Sequence, residues 1–241
     1  MTIQDSSSTT VRVAVASGPT SPGSTADWEL FFARRALAKL KSRLGRQNII
    51  DLLKPDVEAA TEQLEEWARL SKGQWQPAIT ELEISGLSAS EFLAYFNSIK
   101  NDEPKLWAAE PEHFVVDHIE GGDGVIENLG PHIAHIFIHF TDESSAVVAP
   151  LPEYPIRMVA YADTASGTVV ARVLHQFRDT GDGFRAKLCI FFPTAAPEEF
   201  VEAHRQHLAV EFTNWILLAG ESLGRPLASP APVVAGSNSA E

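Results

Sequence analysis

The order of apolar and polar positions divides the chain into a polar head, a helical front, a β-rich middle, a long helix and a polar tail. Residues 1–26 are dominated by Ser, Thr, Gly and Pro and read as a disordered lead-in, although Val11 to Val15 alternate and could add a short strand. From Asp27 the pattern turns helical, with Leu30, Leu37, Leu40 and Leu44 spaced 7, 3 and 4 apart. Arg34, Arg35, Lys39, Lys41, Arg43 and Arg46 decorate this helix with no acid among them. Such a face serves either a membrane surface or partner, a second copy included, or is a solvated basic face pairing with acidic neighbours. A second helix is predicted after Pro55, capped by Asp56, with Val57, Ala60, Leu64 and Trp67 on one face and a stop at Ser71-Lys72-Gly73. Residues 27–75 therefore read as an N-terminal α-hairpin.

The middle of the chain changes period. Ile79 to Ile84 alternate as a strand, and Ser88 to Lys100 form a short helix with Ser88 and Glu91 in capping-box spacing. His113 to Glu120, a Gly-Gly-Asp-Gly turn and Val125 to Asn128 read as a hairpin. His132 to Thr141, Arg157 to Asp163, Thr168 to Arg178 and Phe184 to Phe192 are further strands, and the short polar turns between them imply an antiparallel sheet. Pro197 to about Leu223 form the longest helix, ended by Gly224 and Pro226, and residues 225–241 have the composition of a disordered tail. Residues 76–224 thus predict an α+β domain of helix-grip type, a curved antiparallel sheet around one long C-terminal helix with a cavity between them.

Composition narrows the chemistry. The 241 residues are 44 % hydrophobic and 21 % charged, an ordinary globular mixture. Lys and Arg number 19 against 32 Asp and Glu, a net charge of −13, which argues against nucleic acid as a partner. No apolar run approaches the ~18–20 residues that span a bilayer, and the head lacks a signal peptide's apolar core, so a soluble cytoplasmic protein is expected. The single cysteine, Cys189, excludes cysteine-rich metal modules, whereas there are eight histidines. Any transition-metal site here must use nitrogen and oxygen.

His207 and Glu211 lie four residues apart in the last helix, one turn above each other on one face, and can hold one zinc from a rigid backbone. His204 borders that face and could support the site or act as acid/base. Further ligands must come from the sheet, where the candidates are His113, His118, Glu120, Glu127, His132, His135, His139 and His175. In HIAHIFIHF, period two places Ala134, Ile136, Ile138 and Phe140 on one apolar face, which must be core. His135 and His139 share the other face, which is either solvated or the lining of a polar cavity.

The segment GLSASEFLAYFNSIKNDEPKLWAAEPEHFV (86–115), with its Trp followed by Pro-Glu-His, resembles the stretch that leads to the first metal histidine of the 2,4-diacetylphloroglucinol and phloretin hydrolases. HLAVEFTNW (207–215) resembles their C-terminal His-x-x-x-Glu-Phe-x-Asn motif, and the likeness extends over roughly residues 80–222. The resemblance implies a START-like fold with one zinc in a His-Glu-His-Glu set, carried over to His113, Glu127, His207 and Glu211. It implies hydrolysis of the carbon–carbon bond between a phenolic ring and an acyl group, with an acyl-phenol as substrate. His204, His118 and His135 are then the candidates for general acid/base, because imidazole titrates near neutrality. If the hairpin pairs Glu120 with Val125, Glu127 faces His118, and only a bulge or an odd-numbered loop brings His113 to its side. Two other readings compete: a non-catalytic START-like carrier of an aromatic or lipid ligand, and a cyclase or isomerase of polyketide-type substrates.

Overall fold

The structure, a computed structural model, describes residues 14–18 and 22–229; the possible strand at Val11 to Val15 lies mostly outside them, as do residues 230–241 of the tail. The N-terminal helices are α1 (Thr25–Leu44) and α2 (Arg46–Ser71), followed by β1 (Trp75–Ser85), α3 (Ala89–Ile99) and α4 (Glu103–Ala109). Then come β2 (His113–Ile119), β3 (Gly122–Leu129), β4 (His132–Thr141), β5 (Ile156–Asp163), β6 (Val169–Asp179), β7 (Gly183–Pro193) and α5 (Glu198–Ser222). The strands form one antiparallel sheet in the order β1-β7-β6-β5-β4-β3-β2, a meander whose last strand closes onto the first.

The α+β helix-grip arrangement expected from the pattern is present, with α5 held against the inner face of the curved sheet. Phe200, Val201, Leu208, Phe212 and Trp215 are its buried apolar positions. Phe92 of α3 ties the sheet to α5, its ring 6.0, 5.8 and 6.2 Å from those of Phe177, Phe184 and Phe212. α3 has the capping box that Ser88 and Glu91 announced. Ala134 and Ile136 are buried, and Ile138 and Phe140 line the cavity on the same face, as alternation requires. Among the described residues no helix is long and apolar enough to cross a membrane.

Three local expectations are corrected. α2 begins at Arg46 and runs through Pro55 instead of starting after it. Proline removes one helical hydrogen bond, but Ile49, Leu53, Val57, Ala60, Leu64 and Trp67 continue one apolar stripe across it. The first half of that stripe packs on Val115, Ile126 and Ile133 of the outer sheet face, and Trp67 meets the rings of His132 and Phe200. The hairpin turn is Glu120-Gly121, with Gly121 at φ 80°, and Gly122 to Gly124 belong to β3. A Cβ at Gly122 would fall 1.7 Å from the Ile138 carbonyl oxygen, so glycine there permits strand contact rather than a turn. Finally, α4 was not anticipated; Asp102 caps it and Pro104 occupies its first turn.

The basic helix α1 exposes Leu30, Phe31, Phe32, Leu40 and Leu44 and buries Lys41. Several of its cations, and Arg46 just beyond it, have partners. Arg34 donates to the Ala108 carbonyl, and Arg46 pairs with Asp117 and Glu103. Lys41 Nζ donates to the Pro111 carbonyl at 2.7 Å and also to that of His113. Replacing Lys41 by Met should lower the unfolding free energy by about 1–3 kcal/mol, because two carbonyls lose a charged donor. Urea unfolding should show this as a lower midpoint at unchanged slope.

Candidate metal centre

The strand β2 starts at His113, and its pairing with β3 fixes what that side chain can reach. From Val115 to Ile119 the register is regular, with Val116 opposite Val125 and His118 opposite Asp123. Between His113 and Val115 it slips by one residue, so that Phe114 is the extra residue of a bulge and His113 stands opposite Glu127. Without the bulge Phe114 would oppose Glu127, and His113 would turn to the outer face. Phe114 instead joins the outer cluster of Ile49, Val115 and Ile126.

α5 supplies the other half. His207 and Glu211, one turn apart, point at the same place as His113 and Glu127, and all four side chains are buried. His113 Nε2 lies 3.0 Å from Glu127 Oε2 and 3.3 Å from Glu211 Oε1, and His207 Nε2 lies 3.7 Å from Glu127 Oε2. His113, Glu127 and His207 bring one donor atom each within 4.8 Å of the others. Tetrahedral zinc with bonds of ~2.0–2.1 Å sets its donors ~3.3 Å apart, and these separations bracket that value. His113 Nε2 has no hydrogen-bond partner despite its neighbours. Imidazole and carboxylate donor atoms that converge in a buried place, His113 Nε2 without a hydrogen bond among them, fit a small cation.

The segment before His113 is fastened on both sides. Asn214 Nδ2 donates to the Ala109 carbonyl at 2.6 Å, Lys41 holds the carbonyls of Pro111 and His113, and Glu103 accepts the Val116 N–H at 3.1 Å. Behind His207 stand Glu110 and Glu112, with Glu112 Oε2 3.9 Å from Nδ1. Carboxylates on that side favour the imidazole orientation that leaves Nε2 facing the cluster. Asn214 belongs to the His-x-x-x-Glu-Phe-x-Asn stretch, and Glu110 and Glu112 flank His113, but the role of each depends on contacts far apart in the chain.

Electrostatics reflect the crowding. Burial pushes Glu211 up to about 7, only partly offset by His113 and His207. Burial acts the same way on Glu127, but His113, His207 and His204 outweigh it and hold the carboxyl at about 2. Burial alone would lower His207, yet Glu112, Glu127, Glu211 and Glu110 raise it well above the usual imidazole range. Burial also raises Glu110 and lowers Lys41 to about 8, the latter against the pull of Glu110, Glu103 and Glu112.

These groups close one end of a cavity of about 140 Å³ between the sheet and α5. His204 lines it, stacked 5.1 Å from His207, with neither ring nitrogen hydrogen-bonded. Burial lowers it to about 3, so it is neutral. His175 also lines the cavity; its Nδ1 accepts the Cys189 N–H at 3.1 Å, which leaves Nε2–H as a donor. Burial lowers it too to about 3.

The other candidates lie elsewhere. His118 is exposed and paired with Asp123 at 2.5 Å, near the hairpin tip, so it is not an acid/base at the cluster. His135 is opposite Ile126 on the outer face, where Arg46 is its charged neighbour, and is likewise removed from the chemistry. His139 bonds Asp163 at 3.0 Å and stacks on Tyr161, His132 packs on Trp67, and Glu120 is an exposed turn residue.

No protein-family model matches this chain, and no curated protein matches it. Among solved structures it is similar to an uncharacterised protein from Rhizobium leguminosarum, at 12 % identity and a TM-score of 0.37, over 61 % of this chain and 97 % of that one.

Purified protein is expected to hold one zinc per chain by elemental analysis. His207→Ala and Glu127→Ala should abolish stoichiometric zinc, while His118→Ala and His135→Ala should keep it. Zinc at a hundred times its dissociation constant should stabilise the metal-free wild type by about 2.7 kcal/mol in a thermal-shift experiment, and the two ligand variants by far less.

Proposed function

We propose that this protein is a zinc-dependent hydrolase that splits the carbon–carbon bond between a phenolic, phloroglucinol-type ring and its acyl group. The observation that carries the reading is the convergence of His113, Glu127, His207 and Glu211, with His113 Nε2 unpartnered, in the wall of a largely apolar cavity. A purely structural metal site has no use for a cavity, whereas a catalytic one needs an open position facing it. The two imidazoles and two carboxylates would hold the ion, which can take one further donor from the cavity side. Bound there, zinc would polarise the acyl carbonyl and make water acidic enough to attack at neutral pH.

The chain's own groups supply the rest of a retro-Claisen hydrolysis. In its keto form the ring carries a proton on the acyl-bearing carbon, and the bond to be broken becomes that of a 1,3-diketone. Water adds to the acyl carbon, the ring leaves as a stabilised enolate, and the products are the free phenol and a carboxylic acid. His204, beside His207 with neither ring nitrogen hydrogen-bonded, is placed to pass a proton between the attacking water and the ring carbon; held low by burial, it relays the proton rather than storing it. His175 offers Nε2–H to an oxygen of the substrate. Leu208, Phe212 and Trp215 keep bulk water from this end of the cavity.

The hydrocarbon lining also favours a second reading, a carrier of an aromatic ligand, and a cyclase-like enzyme would use the same cavity. Mass spectrometry of acyl-phenol reactions separates them. Hydrolysis adds 18 mass units and yields two products, a cyclase product keeps the mass or loses water, and a carrier binds after chelator treatment and changes nothing. His204→Ala is expected to lower kcat about 10²- to 10⁴-fold while zinc stays bound. Full activity in that variant would remove His204 from the mechanism.

A further inference from the structure

We infer that the cavity is suited to a 1,3-diketone with hydrocarbon flanks more than to a ring bearing several hydroxyls; this rests on the carbon–carbon hydrolase chemistry proposed above and shifts its preferred substrate from the acyl-phenol to the open-chain diketone. Polar side chains line the cavity in two places along β3, the cluster with His204 and the indole N–H of Trp215, and Lys100 with Asp123, whose carboxylate is already bonded to His118; His175 stands apart on β6, opposite Met158. Asp123 and Glu127 are four residues apart on one face of β3, so the two places are roughly 13 Å apart.

Between them the wall is hydrocarbon, Val125, Ile136 and Ile138, and it is continued by Met158, Val173 and Ile190 on the strands beyond. Their backbone groups belong to paired strands, β3 with β4, β5 with β6 and β6 with β7. Among the described residues no hydroxyl, amide or guanidinium side chain lines the cavity. A ring hydroxylated at three positions has two hydroxyls beside its acyl group, one bonded to the acyl oxygen and both at the cluster. The third, across the ring, enters the hydrocarbon stretch, loses water and finds no partner there, at a cost of about tenfold in affinity.

A 1,3-diketone carries the same reacting unit and no polar atom elsewhere. It is also the form an acyl-phenol must reach by giving up aromaticity before its bond can break, so it enters the reaction without that step. The reaction balances: the hydroxyl of water joins one carbonyl carbon, and the bond from that carbon to the central carbon breaks. The electron pair leaves in the enolate of the other ketone, and the proton of water ends on the central carbon. One carboxylic acid and one methyl ketone result. A volume of about 140 Å³ holds one aromatic ring, which makes 1-phenylbutane-1,3-dione a fitting probe.

The test compares this diketone with 2,4,6-trihydroxyacetophenone on the full-length protein. Binding is read by tryptophan fluorescence with and without zinc, and cleavage by mass spectrometry of the zinc-loaded protein. The diketone should bind at least tenfold more tightly and show kcat/KM at least tenfold higher. Ile138→Asn, which puts an amide into the hydrocarbon wall, should narrow both gaps, and the smaller change Val173→Thr should do the same if the asparagine variant does not fold. Equal or better binding of the trihydroxy compound overturns the inference, and its efficient cleavage would leave the hydrolase reading standing. Tighter diketone binding with cleavage of neither compound supports the cavity preference and sinks the hydrolase reading instead.

Discussion

The structure turns on keeping carboxylates and imidazoles together inside hydrocarbon. Taking one carboxylate out of water costs several kcal/mol even after the surroundings relax, and Glu127, Glu211 and Glu110 are all buried. Nearby histidines offset part of that cost, which is why Glu127 stays ionised, whereas Glu211 and Glu110 are pushed up by burial. Lys41 is the buried cation that faces this group from α1, and burial weakens its own hold on a proton. The carboxylates outnumber Lys41 here and draw His207 toward its charged form, a balancing role that a dication would take over. Charge balance thus agrees with the donor spacing, and each is an independent property of the site.

Such a cluster needs a rigid frame, and the frame explains elements that otherwise look incidental. His113 sits at the first position of a strand, where chain ends fray, so its backbone must be held from outside the sheet. Lys41 and Asn214 do this from two helices remote in sequence, and Glu103 secures the next turn of the strand. The basic character of α1 is therefore not a uniform surface property. Arg34 and Lys41 are directed at main-chain carbonyls of the segment that carries the ligand, while Leu30, Phe32 and Leu40 face solvent.

Much of this was legible in the residues because periodicity is a local signal. Strand alternation identified the inner face of β4, the capping box located α3, and the i, i+4 pair His207 and Glu211 was visible from helical spacing alone. What was hidden depends on pairing between distant segments. The Phe114 bulge cannot be read from β2, since its cause is the match of Phe114 and Val115 to the α2 stripe. The start of α2 was misplaced because a proline rule was weighed without the apolar stripe that overrides it. His118 and His135 were indistinguishable from true cavity residues until the turn at Glu120-Gly121 fixed the register. His175 was only one strand histidine among several in the sequence, since its tautomer is set by a backbone N–H on the neighbouring strand.

The same geometry separates chemistry from selectivity along single elements. On β3, Glu127 belongs to the cluster and Val125 to the hydrocarbon wall, two residues apart on one face. On α5, His207 and Glu211 belong to the cluster while Leu208 and Phe212, each one position further along, shape the wall. A rigid strand and a rigid helix therefore fix the distance between the cluster and the wall. Changing a wall residue alters what fits without moving a ligand, whereas changing a ligand leaves a buried charge uncompensated and strains the whole cluster. Substrate preference can for that reason drift quickly on this scaffold, while the four donors and the clamps that hold them must change together.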